Sequence, residues 1–211
     1  MIITWLGQSC FVIKAQNSKI VTDPYGGHIG FELKNDLTAD IVTVSHQHPD
    51  HNNVVDVGGD PVIIYKTGTT TAREIEFTGV NTFHDDEGGA KRGENTVFAF
   101  SVDGIRIVHL GDLGHVLSQA QASELGNVDI LMIPVGGMYT IDGAAVLEVI
   151  RQINPKIIIP MHYKIENLVF ELATVDDFLV SSSLKSEVLD MLEINRELLP
   201  AEPKIVVLNK S

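Results

Sequence analysis

The sequence predicts an α/β fold, and three observations carry the prediction. In the first half, short apolar runs follow one another at tight turns, the pattern of antiparallel strands. In the second half, apolar runs alternate with stretches of helical spacing, the pattern of repeated strand and helix. The chain has 211 residues, 44% hydrophobic and 20% charged, which fits a single domain with a sizeable core.

Residues 2–6 and 10–15 read as two strands joined by Gly7-Gln8-Ser9, and residues 19–22 as a third after the turn at Asn17-Ser18. Asp23 closes this meander in the sequence Asp23-Pro24-Tyr25-Gly26-Gly27 and is placed to organise the loop at the strand end. Residues 40–45 and 61–65 are strands, separated in part by a frayed turn over 54–59. Residues 67–71 read as a loop and 74–80 as a strand by their alternation. Residues 96–102 and 105–110 form a hairpin about Asp103-Gly104, a two-residue turn pair that suits the strand twist. Helices are expected over 118–125, with Ser118 as the N-cap, and over 142–153, where Ala145, Val149 and Ile153 share a face. Asn154-Pro155 stops the second of these. Buried strands follow over 129–135, 156–160 and 204–208, with further helices expected over 175–181 and 187–198.

The chemistry concentrates in His46-Gln47-His48-Pro49-Asp50-His51. Neutral imidazole nitrogens and a carboxylate suit zinc and related divalent metals. In an extended turn His46 and His48 point the same way, and Pro49 bends the chain before Asp50 and His51, so the two pairs can serve two metals. A solvated His-rich loop is the plain alternative, but the stretch directly follows the apolar run 41–44, which argues for a built site. His84, Asp112 and His162 each also follow an apolar run, and strand ends collected at one sheet edge form a cleft. Each has a plainer role open to it: His84 as a loop histidine paired with Asp85 or Asp86, Asp112 as a turn cap, His162 as a core histidine. His109 lies within a strand and reads as packing or a supporting hydrogen bond. His28 and His115 stay open, as does a substrate contact for Tyr163 and Lys164.

The pattern His-x-His-x-Asp-His at residues 46–51 resembles the signature of the metallo-β-lactamase superfamily at all four positions. The resemblance runs along essentially the whole chain and includes the Asp23 strand end, His84, Gly111-Asp112 and Met161-His162-Tyr163. It implies a four-layer αββα sandwich, with two mixed β-sheets face to face and helices outside. It implies a first metal on His46, His48 and His84, a second on Asp50, His51 and His162, and Asp112 as the bridge. Asp23 would support the metal loop from behind. The implied activity is that of a metal-dependent hydrolase, with a bridging hydroxide attacking a carbonyl or phosphorus centre and Asp50 as the catalytic carboxylate that orients it or passes a proton. Two zinc ions per chain are expected, with manganese or iron accepted by the same donors. The stretches 5–11 and 109–115 resemble the small hydrolases akin to ascorbate-phosphate lactonases, which suggests a lactone or a phosphate ester as substrate.

Two rivals come with the same fold. Di-iron redox relatives carry glutamate where this sequence has His48, and a non-catalytic member would be expected to have lost ligands. The net charge of −13 argues against nucleic acid as the main partner and leaves a small-molecule substrate. The N-terminal residues lack the basic region and cleavage site of a signal peptide, and no apolar run approaches a membrane span, so a cytoplasmic protein without a membrane partner is expected. Cys10, the only cysteine, lies in an apolar segment and reads as a buried, inert thiol.

Overall fold

The computed structural model describes residues 1–211. The chain opens with strands β1 (Ile2–Gly7), β2 (Cys10–Lys14), β3 (Lys19–Thr22), β4 (Ile41–Thr43) and β5 (Val62–Ile64). It continues through β6 (Gly68–Ala72), β7 (Ile75–Phe83), β8 (Glu94–Val102) and β9 (Ile105–His109). Helix α1 (Gln119–Leu125), β10 (Ile130–Pro134), α2 (Gly143–Ile153) and β11 (Ile157–Met161) follow. The chain ends with α3 (Val175–Ser182), β12 (Ser186–Leu189), β13 (Leu192–Glu193) and β14 (Lys204–Leu208).

These strands make two mixed sheets, as expected. One has the order β13-β1-β2-β3-β4-β5, and the other β12-β14-β11-β10-β9-β8-β7-β6. Both begin with antiparallel hairpins and turn parallel: β3, β4 and β5 in the first sheet, β9, β10, β11, β14 and β12 in the second. Alternation sorts side chains between two cores. Ile3, Trp5, Phe11, Ile13, Ile20 and Ile41 face the second sheet, whereas Cys10, Val12, Val21 and Val42 face outward into a smaller cluster. Helices α1, α2 and α3 pack beside one another, and Leu125, Val146, Val149, Ile150, Ile153 and Phe178 join the larger core. On the other outer face the cover is loops and short 3-10 turns, with Ile29, Leu37, Val57 and Leu168 closing over the sheet. No helix is long and apolar enough to cross a membrane.

Ser118 caps α1 as expected, in a full capping box with Gln121. Asp103 and Gly104 adopt φ of 51° and 74°, the left-handed pair that the β8–β9 turn requires. Two expectations fail. Residues 67–71 are not a loop but most of β6, in which Thr69, Thr70 and Thr71 pair with β7. The turn joining β6 to β7 is Arg73-Glu74, at φ of 47° and 65°, so a hairpin turn forms without the glycine that would have announced it. Residues 187–198 are not a helix. Their apolar spacing looks helical, yet β12 pairs with β14 on one sheet and β13 pairs with β1 on the other. Two open sheet edges with unpaired backbone outcompete local helix preference. This one segment therefore closes an edge of both sheets.

Phe100 is fully buried, and its ring lies 4.9 Å from that of Phe77. Phe100→Ala is expected to cost about 3–5 kcal/mol, read from denaturant midpoints at constant slope.

Candidate metal centre

Four strands deliver the site to one edge of the sandwich. The chain leaves β4 at Thr43 and reaches His46; β7 ends at Phe83 and hands on to His84. Beyond β9 comes Asp112, and beyond β11 comes His162. All seven residues expected at the site converge. The centre of the cluster is Oδ2 of Asp112, which lies 3.2 Å from Nε2 of each of His51, His84 and His162 and 3.9 Å from Nε2 of His46. Three donor sets have atoms within 4.8 Å of one another: His46-His48-His84, His46-His51-Asp112 and Asp50-His51-His162. A cation with ligands about 2 Å away needs donors spaced roughly 3–4 Å apart. The turn after Pro49 is real, since the His51 and Asn52 amides both donate to the His48 carbonyl.

Buried groups behind the cluster set its orientation. Asp23 is fully buried and accepts from the Ser45 amide at 2.7 Å and the Ser45 hydroxyl at 2.6 Å. The Nδ1 atom of His51 donates to Asp23 at 2.9 Å, and Nδ1 of His46 donates to the Ser45 hydroxyl at 2.9 Å. Both Nδ1 atoms are thereby committed, and both Nε2 atoms face the cluster. Those two Nε2 atoms are buried without a hydrogen-bond partner, as are Nδ1 of His84 and Nδ1 of His162. Both readings of Asp23 hold, because the same carboxylate that ties down the strand end also holds His51.

The β1–β2 turn is the floor of the site, a role missed in the sequence. Gln8 donates from Nε2 to Asp50 at 3.0 Å, Ser9 donates to Oδ1 of Asp112 at 3.4 Å, and the Gln8 carbonyl accepts from the His162 amide. A polar pair buried between two apolar strands was the available signal. His109 spans the same region, accepting at Nδ1 from the Gly111 amide and donating from Nε2 to the Ser9 carbonyl. Gly111 sits at φ 56°, and a Cβ there would lie 2.6 Å from that of Ser45. His162 itself holds φ 51°, an uncommon backbone for a residue with a side chain.

Charge is strongly shaped here. Burial, with the charge on His51 beside it, pushes His46 down to about 3. Burial opposes charge on His51 and Asp112 as well, but the attraction of Asp112 for His51, and of His162 and His51 for Asp112, prevails. It raises His51 well above the usual imidazole range and holds the Asp112 carboxyl well below its own.

Above the cluster opens a cleft of about 200 Å³, lined by His48, Asp50, His84, Asp112 and His162 together with Arg92, Tyr139 and Phe170. The last three come from loops with no sequence signature. Tyr163 and Lys164 are not in this lining. Tyr163 is buried 4.9 Å from the Trp5 ring, and Lys164 donates to the carbonyls of Leu168 and Phe170, bracing the loop that carries Phe170. His115 accepts from the Phe83 amide and packs on the Phe83 ring, while His28 is exposed on a 3-10 turn and is not among the cleft-lining residues. Cys10 is buried, which raises its thiol well above the usual range, as expected for an inert thiol. Asp85 pairs with no histidine; its carboxylate accepts from the backbone amides of Glu87, Gly89, Lys91 and Arg92 at 2.8–2.9 Å and so shapes the loop after His84.

A profile described as the beta-lactamase superfamily domain matches residues 2–162. The chain belongs to the metallo-β-lactamase superfamily. It is 42% identical to a solved protein of Thermotoga maritima, described only as a candidate Zn-dependent hydrolase of this superfamily, with a TM-score of 0.81 over 98% of this chain and 97% of that one. A protein of Carboxydothermus hydrogenoformans named a metal-dependent hydrolase is 30% identical, the match covering 77% of this chain and 84% of that one. The diiron beta-hydroxylase CmlA of Streptomyces venezuelae shares the fold alone, at 12% identity and a TM-score of 0.67 over 98% of this chain and 52% of its own. A metallo-β-lactamase superfamily hydrolase is thus the class in which the cluster has to be read.

Two outcomes test the supports. Asp23→Ala should lower metal affinity about 10- to 100-fold, read by competition with a chelator. The Asp85 carboxyl is desolvated, which opposes its charge, but four amides lower it to about 2. Its stabilisation is full above the unfolded carboxylate pKa of about 3.9 and is lost as pH falls toward about 2. The gap in denaturant midpoint between wild type and Asp85→Asn should therefore be constant above about pH 5 and close below it.

Proposed function

We propose that this metal-dependent hydrolase is binuclear and carries two zinc ions, the first on His46, His48 and His84, the second on Asp50, His51 and His162, with Asp112 between them. The observation that carries the reading is one buried carboxylate oxygen ringed by four imidazole Nε2 atoms, two of them buried without any hydrogen-bond partner. Neutral imidazole is a good zinc donor, and five histidines outnumber two carboxylates in the set. Bound divalent cations lower the pKa of a coordinated water from ~15.7 to about 7 and polarise a carbonyl or phosphoryl group.

The chain's own residues do the rest. Asp50 is half-buried at the cleft wall, and its carboxyl is held well below the usual range: desolvation opposes this, but His51 outweighs it. It stays anionic at neutral pH and is placed to orient the attacking water and carry a proton to the leaving group. Gln8 fixes one Asp50 oxygen, which limits the directions that the other can face. Tyr139 and Phe170, with rings 6.2 Å apart, wall the cleft against bulk water. The substrate class suited to this machinery is a lactone or a phosphate ester.

Elemental analysis of protein purified without chelator should give about two metal ions per chain, chiefly zinc. Asp112→Ala should lose at least one of them together with nearly all turnover of lactone or phosphodiester substrates. Retention of both metals in that variant sinks the bridging role, and iron as the main metal would point instead to redox chemistry.

A further inference from the structure

We propose that Arg92 is the specificity-determining residue of the cleft and selects substrates carrying an oxyanion, carboxylate or phosphate, beside a flat or apolar group. The proposal rests on the hydrolase reading above. Arg92 is half-buried and lines the cleft over the cluster as well as the two grooves beside it. Its guanidinium lies 5.5 Å from the Tyr139 ring centroid, a stacking distance that holds the cation in place without neutralising it.

No carboxylate takes up this charge. The other cation of the loop, Lys91, pairs with Glu87 at 2.7 Å, and the nearby Asp85 carboxylate is already filled by four backbone amides. The fourth of those amides is that of Arg92 itself, at 2.8 Å. Asp85 thus anchors the backbone from which the guanidinium reaches into the cleft. The His84 amide donates to the Gly93 carbonyl, so the same short loop fixes a cluster histidine and the cation relative to one another. In a chain with 28 acidic and 15 basic residues, Arg92 is the one lysine or arginine that lines the cleft over the cluster.

A planar guanidinium stays charged at all relevant pH and presents paired donors that match carboxylate and phosphate oxygens. Beside it, Tyr139 and Phe170 offer aromatic surface for the uncharged part of the molecule. The remaining lining is the cluster itself. A substrate seated with its anion on Arg92 and its flat portion on these rings has its scissile group over the cluster.

The test uses metal-loaded wild type, Arg92→Met and Arg92→Lys, each checked for unchanged metal content. Turnover is compared on matched aryl esters and lactones, neutral or carrying a carboxylate or a phosphate. The preference for the anionic member of a pair should fall at least tenfold in Arg92→Met, mainly through KM, and recover in part in Arg92→Lys, as loss of a charge-assisted hydrogen bond implies. Binding of benzoate, phenylphosphonate and benzyl alcohol is measured by calorimetry in parallel, so the outcome does not hang on turnover. The favoured anion should bind Arg92→Met at least tenfold more weakly, and whether benzoate or phenylphosphonate suffers most tells carboxylate from phosphate. Equal losses for the neutral and charged probes, or none for either anion, overturn the proposal. Anion binding that depends on Arg92 in a protein that hydrolyses nothing would uphold it as an oxyanion site and sink the hydrolase reading alone.

Discussion

A single buried oxygen, Oδ2 of Asp112, sets the terms for the rest of this molecule. Four imidazoles approach it within 3.2–3.9 Å, and all but His48 and Asp50 among the seven cluster residues are buried. Such a set is costly to hold out of water without full pairing. The fold meets part of that cost by supplying hydrogen-bond partners from behind to His46 and His51, whose inward Nε2 atoms stay unpaired, whereas His84 and His162 have no partner at Nδ1.

Support for the ring is shared by few residues, each used more than once. Asp23 steadies Ser45 through backbone and hydroxyl and His51 through its ring; Ser45 then steadies His46. Asn95 accepts from the Asp112 amide while donating to Thr82 and to the Leu110 carbonyl. The Gln8 carbonyl accepts from both the Trp5 indole and the His162 amide. Gln8, Asp23 and His162 all take left-handed backbone, which places local strain at the foot of the site rather than in the sheets.

Much of this was legible in the sequence because the relevant signals are local. Six residues after an apolar run mark the candidate metal loop, and Asp103-Gly104 announces its hairpin. The rest either has no local signal or depends on distance in the chain. Arg73-Glu74 turns a hairpin with residues that do not advertise it, and the segment from Ser186 to Glu193 is strand because two remote sheet edges need partners. Arg92, Tyr139 and Phe170 meet only in three dimensions, and nothing in their neighbours' identities marks them for the cleft. Tyr163 and Lys164 show the converse: adjacency to His162 in sequence places them beneath and beside the site, not in it.

The two sheets share the cluster unevenly but jointly. The loop after β4 belongs to the six-stranded sheet, whereas His84, Asp112 and His162 hang from three strands of the eight-stranded one. The distance across the cluster is therefore a gauge of how the sandwich is closed. Side chains such as Phe11, Ile20 and Phe98, buried in the core that both sheets share, act as spacers for chemistry that they never touch. A change of one methylene in that layer would be transmitted to the gap between opposing imidazoles, because a close-packed interior passes on strain rather than absorbing it.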